Sequence, residues 1–157
     1  METTLLFIKP DGVQRRLVGR IIERIETRGL QIVGMRMTTL SRDLAEEHYG
    51  EHRERPFFPG LIRYVTSGPV VLLAVRGRGA IAICRKLMGA TFCPDADPGT
   101  IRGDFGVSRS YNLIHGSDGP ESAERELARF FGEDSDLQDY ALRDLESLYD
   151  AEEELGR

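Results

Sequence analysis

The sequence predicts an α+β fold: a four-stranded antiparallel sheet of the split βαβ, ferredoxin-like kind, covered by helices and followed by a C-terminal helical segment. Three observations lead there. Two short, almost wholly apolar runs, Thr3 to Ile8 (T-T-L-L-F-I) and Pro69 to Val75 (P-V-V-L-L-A-V), have the length and composition of buried strands. Segments with apolar residues at helical spacing alternate with the strands, giving the order β-α-β-(α-α)-β-α-β-α. No repeat, low-complexity tract or linker interrupts the 157 residues, so residues 1–157 read as one domain, with about 135–157 as a C-terminal extension ending in an acidic tail.

Each element has its own signal. The first strand ends at Pro10-Asp11-Gly12, strong turn chemistry. Val18, Ile21, Ile22 and Ile25 share one face of a helix over Val18 to Arg28, which Gly29 stops. Leu30 to Leu40 alternates as a strand should, and Ser41 can cap a helix running through His48 with Leu44 and Ala45 inward. Pro56-Phe57-Phe58-Pro59-Gly60 breaks the pattern before a short helix near Leu61 to Thr66. Beyond the apolar strand at Pro69, Gly77-Arg78-Gly79 reads as a turn into a helix over Ala80 to Met88, with Cys84 on its apolar face. Thr91 to Gly106 is rich in Pro, Asp and Gly and predicts an irregular loop of the length that often carries function. Asn112 to His115 predicts a short strand. Asp118-Gly119-Pro120-Glu121 then opens a helix through Phe131, with Asp118 as the capping residue. Leu137, Tyr140, Ala141, Leu145 and Leu148 predict a last helix folded back on the body, before the solvated run Asp150 to Arg157.

Composition excludes several classes. No apolar run approaches the roughly 20 residues of a membrane helix. The start M-E-T-T-L-L-F-I-K-P has no basic region and argues against a signal peptide. Cys84 and Cys93 make neither a C-x-x-C nor a disulfide framework, which fits a reducing cytoplasm. A net charge of −5 argues against a general nucleic-acid binder, so any phosphate-bearing ligand must be held by a few local cations. Lys9 and Lys86 are the only lysines against 19 arginines. Lys9 follows a strand directly, where a compact charge on a flexible stem differs most from a planar fork.

Most standard motifs are missing. There is no G-x-x-x-x-G-K-[ST] loop, Gly77-Arg78-Gly79 lacks the third glycine of a dinucleotide fingerprint, and no G-x-S-x-G occurs. His48 and His52 lie four apart, but Gly50 between them and the lack of a nearby Cys make a poor metal site. Ser117 and Asp118 are too close in sequence to His115 to form a triad with it easily. Read from the residues alone, His115 is either a packed structural histidine or a nucleophile or base, with Lys9, Arg85 and Arg102 as scattered cations.

The blocks I-K-P-D-G-V-Q-R, H-Y-G-E-H, R-P-F-F-P-G-L, S-G-P-V-V, G-T-I-R-G-D-F and N-L-I-H-G-S-D together resemble the nucleoside diphosphate kinase family. They occur in that family's order and spacing from near Thr4 to about Phe131, and the N-x-x-H-G-S-D block preceded by T-I-R-G-D is highly specific. The resemblance implies a ping-pong transfer: a nucleoside triphosphate, usually ATP, gives its γ-phosphate to a histidine, which passes it to a nucleoside diphosphate. By the family's motif His115 is that histidine, Glu126 orients its imidazole, and Ser117 lies close to it. Lys9 matches the lysine near the transferred phosphate, Tyr49 the tyrosine that braces this region, and Asn112 the group that bonds the sugar 3′-hydroxyl together with Lys9. Arg85, Thr91 and Arg102 match the groups that grip the β-phosphate and its neighbours. Phe57 matches the aromatic on which the base stacks, with Leu61 among the nucleotide-binding positions. Mg²⁺ is implied as a passenger on the nucleotide phosphates, with no protein metal site, and a homo-oligomer, hexamer or tetramer of dimers, is implied as the assembly.

The match departs from the family at Gly106 to Tyr111, where Arg109 falls at a position many relatives fill with an apolar residue against the base. Arg109 either stacks there through its guanidinium or points to solvent. Two other classes are compatible with the fold: a catalytically idle nucleotide-responsive scaffold, and an RNA-binding ferredoxin-like module. The occupied motif positions disfavour the first. The acidic balance and the missing R-G-F-x-F signature disfavour the second.

Overall fold

The computed structural model describes residues 1–132, 137–143, 145–150 and 152–154. Four strands, β1 (Glu2–Ile8), β2 (Gln31–Thr39), β3 (Pro69–Gly77) and β4 (Ile114–Gly116), form one sheet in the order β2-β3-β1-β4, every neighbouring pair antiparallel. β1 and β3 occupy its centre and are buried on both faces, which explains their unbroken apolar sequence. Successive side chains of β1 point to opposite faces. Leu5 and Phe7 therefore meet Ile62 and Val65 of α4 (Phe58–Val65), Ala45 of α3 (Arg42–His48), and Phe130 and Phe131 of α7 (Pro120–Phe131). Leu6 and Ile8 meet Ile21 and Ile25 of α2 (Val18–Thr27), and Cys84 and Met88 of α5 (Ala80–Met88).

At the start of α3 and the end of α2 the punctuation residues act as their chemistry dictates. Ser41 Oγ accepts from the Leu44 amide at 3.2 Å and starts α3. Gly29 takes φ +84° just after α2, a conformation cheap only without a Cβ.

Five sequence expectations are corrected. Pro10 to Gln14 is a one-turn helix, α1, rather than a turn, because Pro10 at its first position is already set to helical φ. Helix α4 begins at Phe58, earlier than its apolar spacing indicates. The Thr91–Gly106 stretch is not wholly irregular: it holds a 3₁₀ turn at Cys93–Asp95 and a helix, α6 (Ile101–Phe105). Thr100 Oγ1 caps α6 by accepting from the Gly103 amide at 3.0 Å, and the Arg24 guanidinium ties α6 to α2 by pairing with Asp104 and lying 4.6 Å from the Phe105 ring centre. Helix α7 is not capped by Asp118: Gly119 is the N-cap, and Ser122 Oγ accepts from its amide at 3.0 Å while Asp118 accepts from the Ser122 hydroxyl.

The fifth concerns the C-terminal segment. It is helical only at α8 (Leu145–Leu148), and residues 137–143 run without helix beside the edge strand β2. The Gln138 amide donates to Val33 O at 2.7 Å, the Tyr140 hydroxyl to Ile32 O at 2.9 Å, and Gln31 Nε2 to Tyr140 O at 2.7 Å. An edge strand offers unpaired backbone groups, and satisfying them outweighed the weak helical pattern. The side chain of Leu145, and residues 151 and 155–157 of the predicted acidic tail, lie outside the described residues.

Candidate active site

The site forms where β1 ends beside the start of β4. His115 stands directly opposite Phe7 in their ladder, and the Phe7 ring lies along the imidazole at 4.8 Å and 24°. His48, at the end of α3, packs edge-on against the same imidazole at 4.5 Å. A ring stacked along its face and another edge-on against it leave the histidine little rotational freedom. Its Nε2 faces Glu126 Oε2 at 2.9 Å, and the Ser117 hydroxyl donates to that same oxygen at 2.8 Å. The carboxylate thus selects the tautomer: Nε2 holds the proton, and Nδ1 keeps its lone pair outside that bond.

β4 starts later than the sequence predicts, at Ile114, because Leu113 adopts φ +71°. A left-handed leucine costs of order 1 kcal/mol or more and persists only where its surroundings impose it. Here the Lys9 amide donates to Leu113 O at 2.8 Å and the Leu113 amide to Asp11 Oδ2 at 3.2 Å. Gly12 permits the close approach of α1, since a Cβ there would sit 2.7 Å from Ile8 Cγ2 and 3.3 Å from Leu113 O.

This turn delivers Asn112 to Lys9. The ammonium donates to Asn112 Oδ1 at 2.7 Å, and Asn112 Nδ2 donates to Thr91 O at 2.9 Å. Lys9 also lies 5.5 Å from the Tyr64 ring centre. Arg102 is buried behind them, donating from Nε to Asn112 O at 3.1 Å, from Nη1 to Gly89 O and Ala90 O at 3.0 and 3.4 Å, and from Nη2 to Ile114 O at 2.7 Å. Arg85 is exposed and reaches Gly116 O at 3.5 Å.

Lys9, Tyr49, Phe57, Leu61, Arg85, Thr91, Arg102, Asn112, His115 and Glu126 all line one open cleft of about 1550 Å³. Of the residues expected at the site, Ser117 alone does not line it. It is buried behind Glu126 and touches the cleft only through that carboxylate. Tyr49 is buried with its hydroxyl unpartnered among the described residues. Phe57 is more than half exposed at the rim, and Arg109 on the rim lies 4.2 Å from the Phe92 ring centre with Asp95 3.3 Å from its Nη1. Sequence reasoning missed Phe7, His48, Asp11 and Tyr64 as site residues. Strand pairing is the signal that finds Phe7, and the others have none short of the folded chain.

The electrostatics are those of an anion site. Burial, then Lys9, Arg102 and Arg85, hold the His115 imidazole well below its ordinary pKa, so it is neutral throughout the physiological range. Burial and the nearby Arg102 lower Lys9 to about 7, against the opposing pull of Asp11 and Cys93. Burial raises Glu126, against the hydrogen bond from Ser117. Among the described residues, His48, His115 and Glu126 are the one group whose metal-ligating atoms converge, within 4.8 Å. Two imidazoles and one already engaged carboxylate, among three cations, do not resemble the oxygen cage Mg²⁺ requires. The His48–His52 pair does not converge on a metal, since His52 turns toward Tyr49 and Phe57.

Known proteins resemble this chain in sequence and fold. The family model described as nucleoside diphosphate kinase matches residues 2–135. A nucleoside diphosphate kinase of Synechococcus sp. (strain JA-3-3Ab) is 61% identical over 133 residues, covering 85% of this chain and 89% of that one. The solved halophilic nucleoside diphosphate kinase from Halobacterium salinarum in complex with CDP superposes with a TM-score of 0.91 at 47% identity, covering 94% of this chain and 98% of that one. The apo nucleoside diphosphate kinase of Encephalitozoon cuniculi gives 0.91 at 41% identity, over 95% and 100%.

Proposed function

The chain belongs to the nucleoside diphosphate kinase family and is a phosphotransferase acting on nucleotides, and from that premise we propose that it works by ping-pong transfer through a phosphohistidine on His115. One observation carries the assignment of the nucleophile: a neutral imidazole whose Nε2 is held by Glu126, with Nδ1 left outside that bond, at the edge of a cationic cleft. In the first half-reaction Nδ1 attacks the γ-phosphorus, the bond to the β–γ bridging oxygen breaks, and the nucleoside diphosphate leaves. In the second, a terminal β-phosphate oxygen of the acceptor attacks the same phosphorus, the N–P bond breaks, and neutral imidazole is restored. Nε2 keeps its proton throughout, and Glu126 stabilises the positive charge on the phosphorylated ring.

Charge developing on the phosphoryl oxygens meets Lys9, Arg85 and the guanidinium of Arg102, and the Tyr49 hydroxyl is a donor without a competing partner among the described residues. Asn112, gripped by Lys9 and Thr91 O, is placed to bond a sugar hydroxyl. Phe57, with Leu61 beside it on α4, offers an exposed face for stacking any base. Mg²⁺ bound to the nucleotide phosphates would neutralise part of their charge, with Lys9, Arg85 and Arg102 facing the remainder. We read residues 1–157 as a single domain with a C-terminal extension from about 135, working in the cytoplasm. No helix among the described residues is long and apolar enough to cross a membrane. The assembly we favour is a homo-oligomer, a hexamer or a tetramer of dimers; Met35 and Met37, 62% and 60% exposed on the edge strand β2, support burial against a further copy.

The direct test is to mix the protein with γ-labelled ATP and Mg²⁺ without acceptor, then chase with a nucleoside diphosphate. An acid-labile, base-stable protein label that moves to the acceptor is expected; no label while nucleotide binds would overturn the reading. Glu126→Ala should slow labelling by about 10²-fold or more while nucleotide affinity changes little, because it frees the tautomer and not the phosphate site; equal rates in stopped-flow labelling would remove Glu126 from the mechanism. The pH profile follows from Lys9, which assists only as ammonium. kcat/KM should fall on the alkaline side of about pH 7, the value for the free enzyme, and should show no acid limb at the ordinary histidine pKa. In kcat the alkaline limb should lie higher, since a bound phosphate favours the charged amine.

A further inference from the structure

Asp11 sits on α1, just after β1, lines the same cleft and has no part in the mechanism above, yet both its carboxylate oxygens are engaged. Oδ1 accepts from the buried Tyr64 hydroxyl and Oδ2 from the amide of Leu113, the residue held at φ +71°. Leu113 lies between Asn112, which Lys9 grips, and the start of β4, which carries His115. We propose that Asp11 is a positioning residue for phosphoryl transfer, its carboxylate fixing the left-handed Leu113 turn and thereby the Lys9–Asn112 pair and the strand that bears His115. This rests on the phosphohistidine reading and extends it to a residue that does not line up against the phosphate itself.

Two features make the carboxylate matter beyond its hydrogen bonds. A leucine relaxes from φ +71° unless its neighbours hold it, and Asp11 supplies the side-chain bond to its amide. Asp11 is also the carboxylate that most favours the charged form of Lys9. The groups facing that amine are Arg102 from α6, Cys93 from the 3₁₀ turn, Tyr64 from α4, His48 from α3 and His115 from β4. Arg102 opposes its charge, Cys93 weakly assists, and burial with the bond to Asp11 keeps Tyr64 neutral.

Asp11→Asn, Asp11→Ala and Tyr64→Phe separate the contributions. Asparagine keeps the size of the side chain and an oxygen for the Leu113 amide, and removes the charge. Its kcat/KM alkaline limb should move down by roughly one pH unit, which loss of structure alone would not produce. Tyr64→Phe removes a neutral hydrogen bond and should leave the limb where it is in the parent. Asp11→Ala should also slow single-turnover labelling of His115 by γ-labelled ATP by about 10²-fold, the scale of a misplacement near 1 Å. If Asp11→Ala does not fold, the Asn variant decides the matter. Parent-like labelling together with an unmoved limb in the Asp11 variants would overturn the proposal alone. Absence of label on the parent protein would overturn the phosphohistidine reading and the proposal with it.

Discussion

His115→Ala is expected to abolish phosphotransfer, with kcat falling by roughly 10⁵-fold or more, the scale seen when a covalent nucleophile is removed. Ser117, Cys93 and His48 cannot substitute. Ser117 is buried and spends its proton on Glu126. Burial drives the Cys93 thiol up, away from the thiolate, and its Sγ is turned toward Tyr111 O at 3.7 Å. His48 is neutral at every physiological pH through burial and its neighbour His115, but its ring packs edge-on and its nitrogens are buried. The fold should survive, because Phe7 keeps its contacts with His48 and Phe130 when the imidazole is gone. The cost is a small cavity and a Glu126 carboxylate that keeps only Ser117, about 1–3 kcal/mol. The measurement is γ-phosphate labelling beside a thermal melt. Label on the variant, or turnover above about 1% of the parent, would mean that the nucleophile lies elsewhere.

How far the sequence reveals this site depends on whether each contact is local. β1 and β3 were legible because burial on both faces leaves only apolar residues, and α2 because Ile21 and Ile25 recur at helical spacing. α6 was not, since five residues carry too little periodicity and its stability comes from Thr100 and from Arg24 on a distant helix. The start of β4 was misplaced because no local pattern announces a leucine at positive φ; the cause is Asp11, about a hundred residues earlier. The chemistry was more visible than the scaffold. The motif blocks carry Lys9, Asn112 and His115, the family resemblance adds Glu126, and the structure brings the four into one cleft. It could not tell that Ser117 acts from behind Glu126, or that Arg109 lies against Phe92 and Asp95 at the rim.

Arg102 shows most clearly how a role read from sequence changes once partners are known. Its expected task was a two-pronged grip on phosphate, yet the guanidinium already donates to the carbonyls of Asn112, Gly89, Ala90 and Ile114. A guanidinium has five N–H donors, so this pattern leaves one on Nη2. In the proposed mechanism Arg102 would therefore act on a phosphate through its charge and at most one direct bond, while it staples the end of α5 to the turn that carries Asn112. Charge and staple make separable predictions. Arg102→Ala should lower stability by about 3 kcal/mol or more, since a buried cation with charge-assisted bonds is lost and its carbonyls are left short of donors. For a chain of this size that is a fall of roughly 6–12 °C in Tm. Nucleoside diphosphate affinity at a temperature where the variant is folded should fall at least about tenfold, because one of the three cations around the phosphate site is gone. Arg102→Lys keeps the charge but not the planar fork, so it should recover more of the affinity than of the Tm. Calorimetric melts and titration with a nucleoside diphosphate on the two variants measure both. An unchanged Tm in Arg102→Ala would refute the staple, and recovery of Tm without affinity in Arg102→Lys would reverse the division of labour drawn from the geometry.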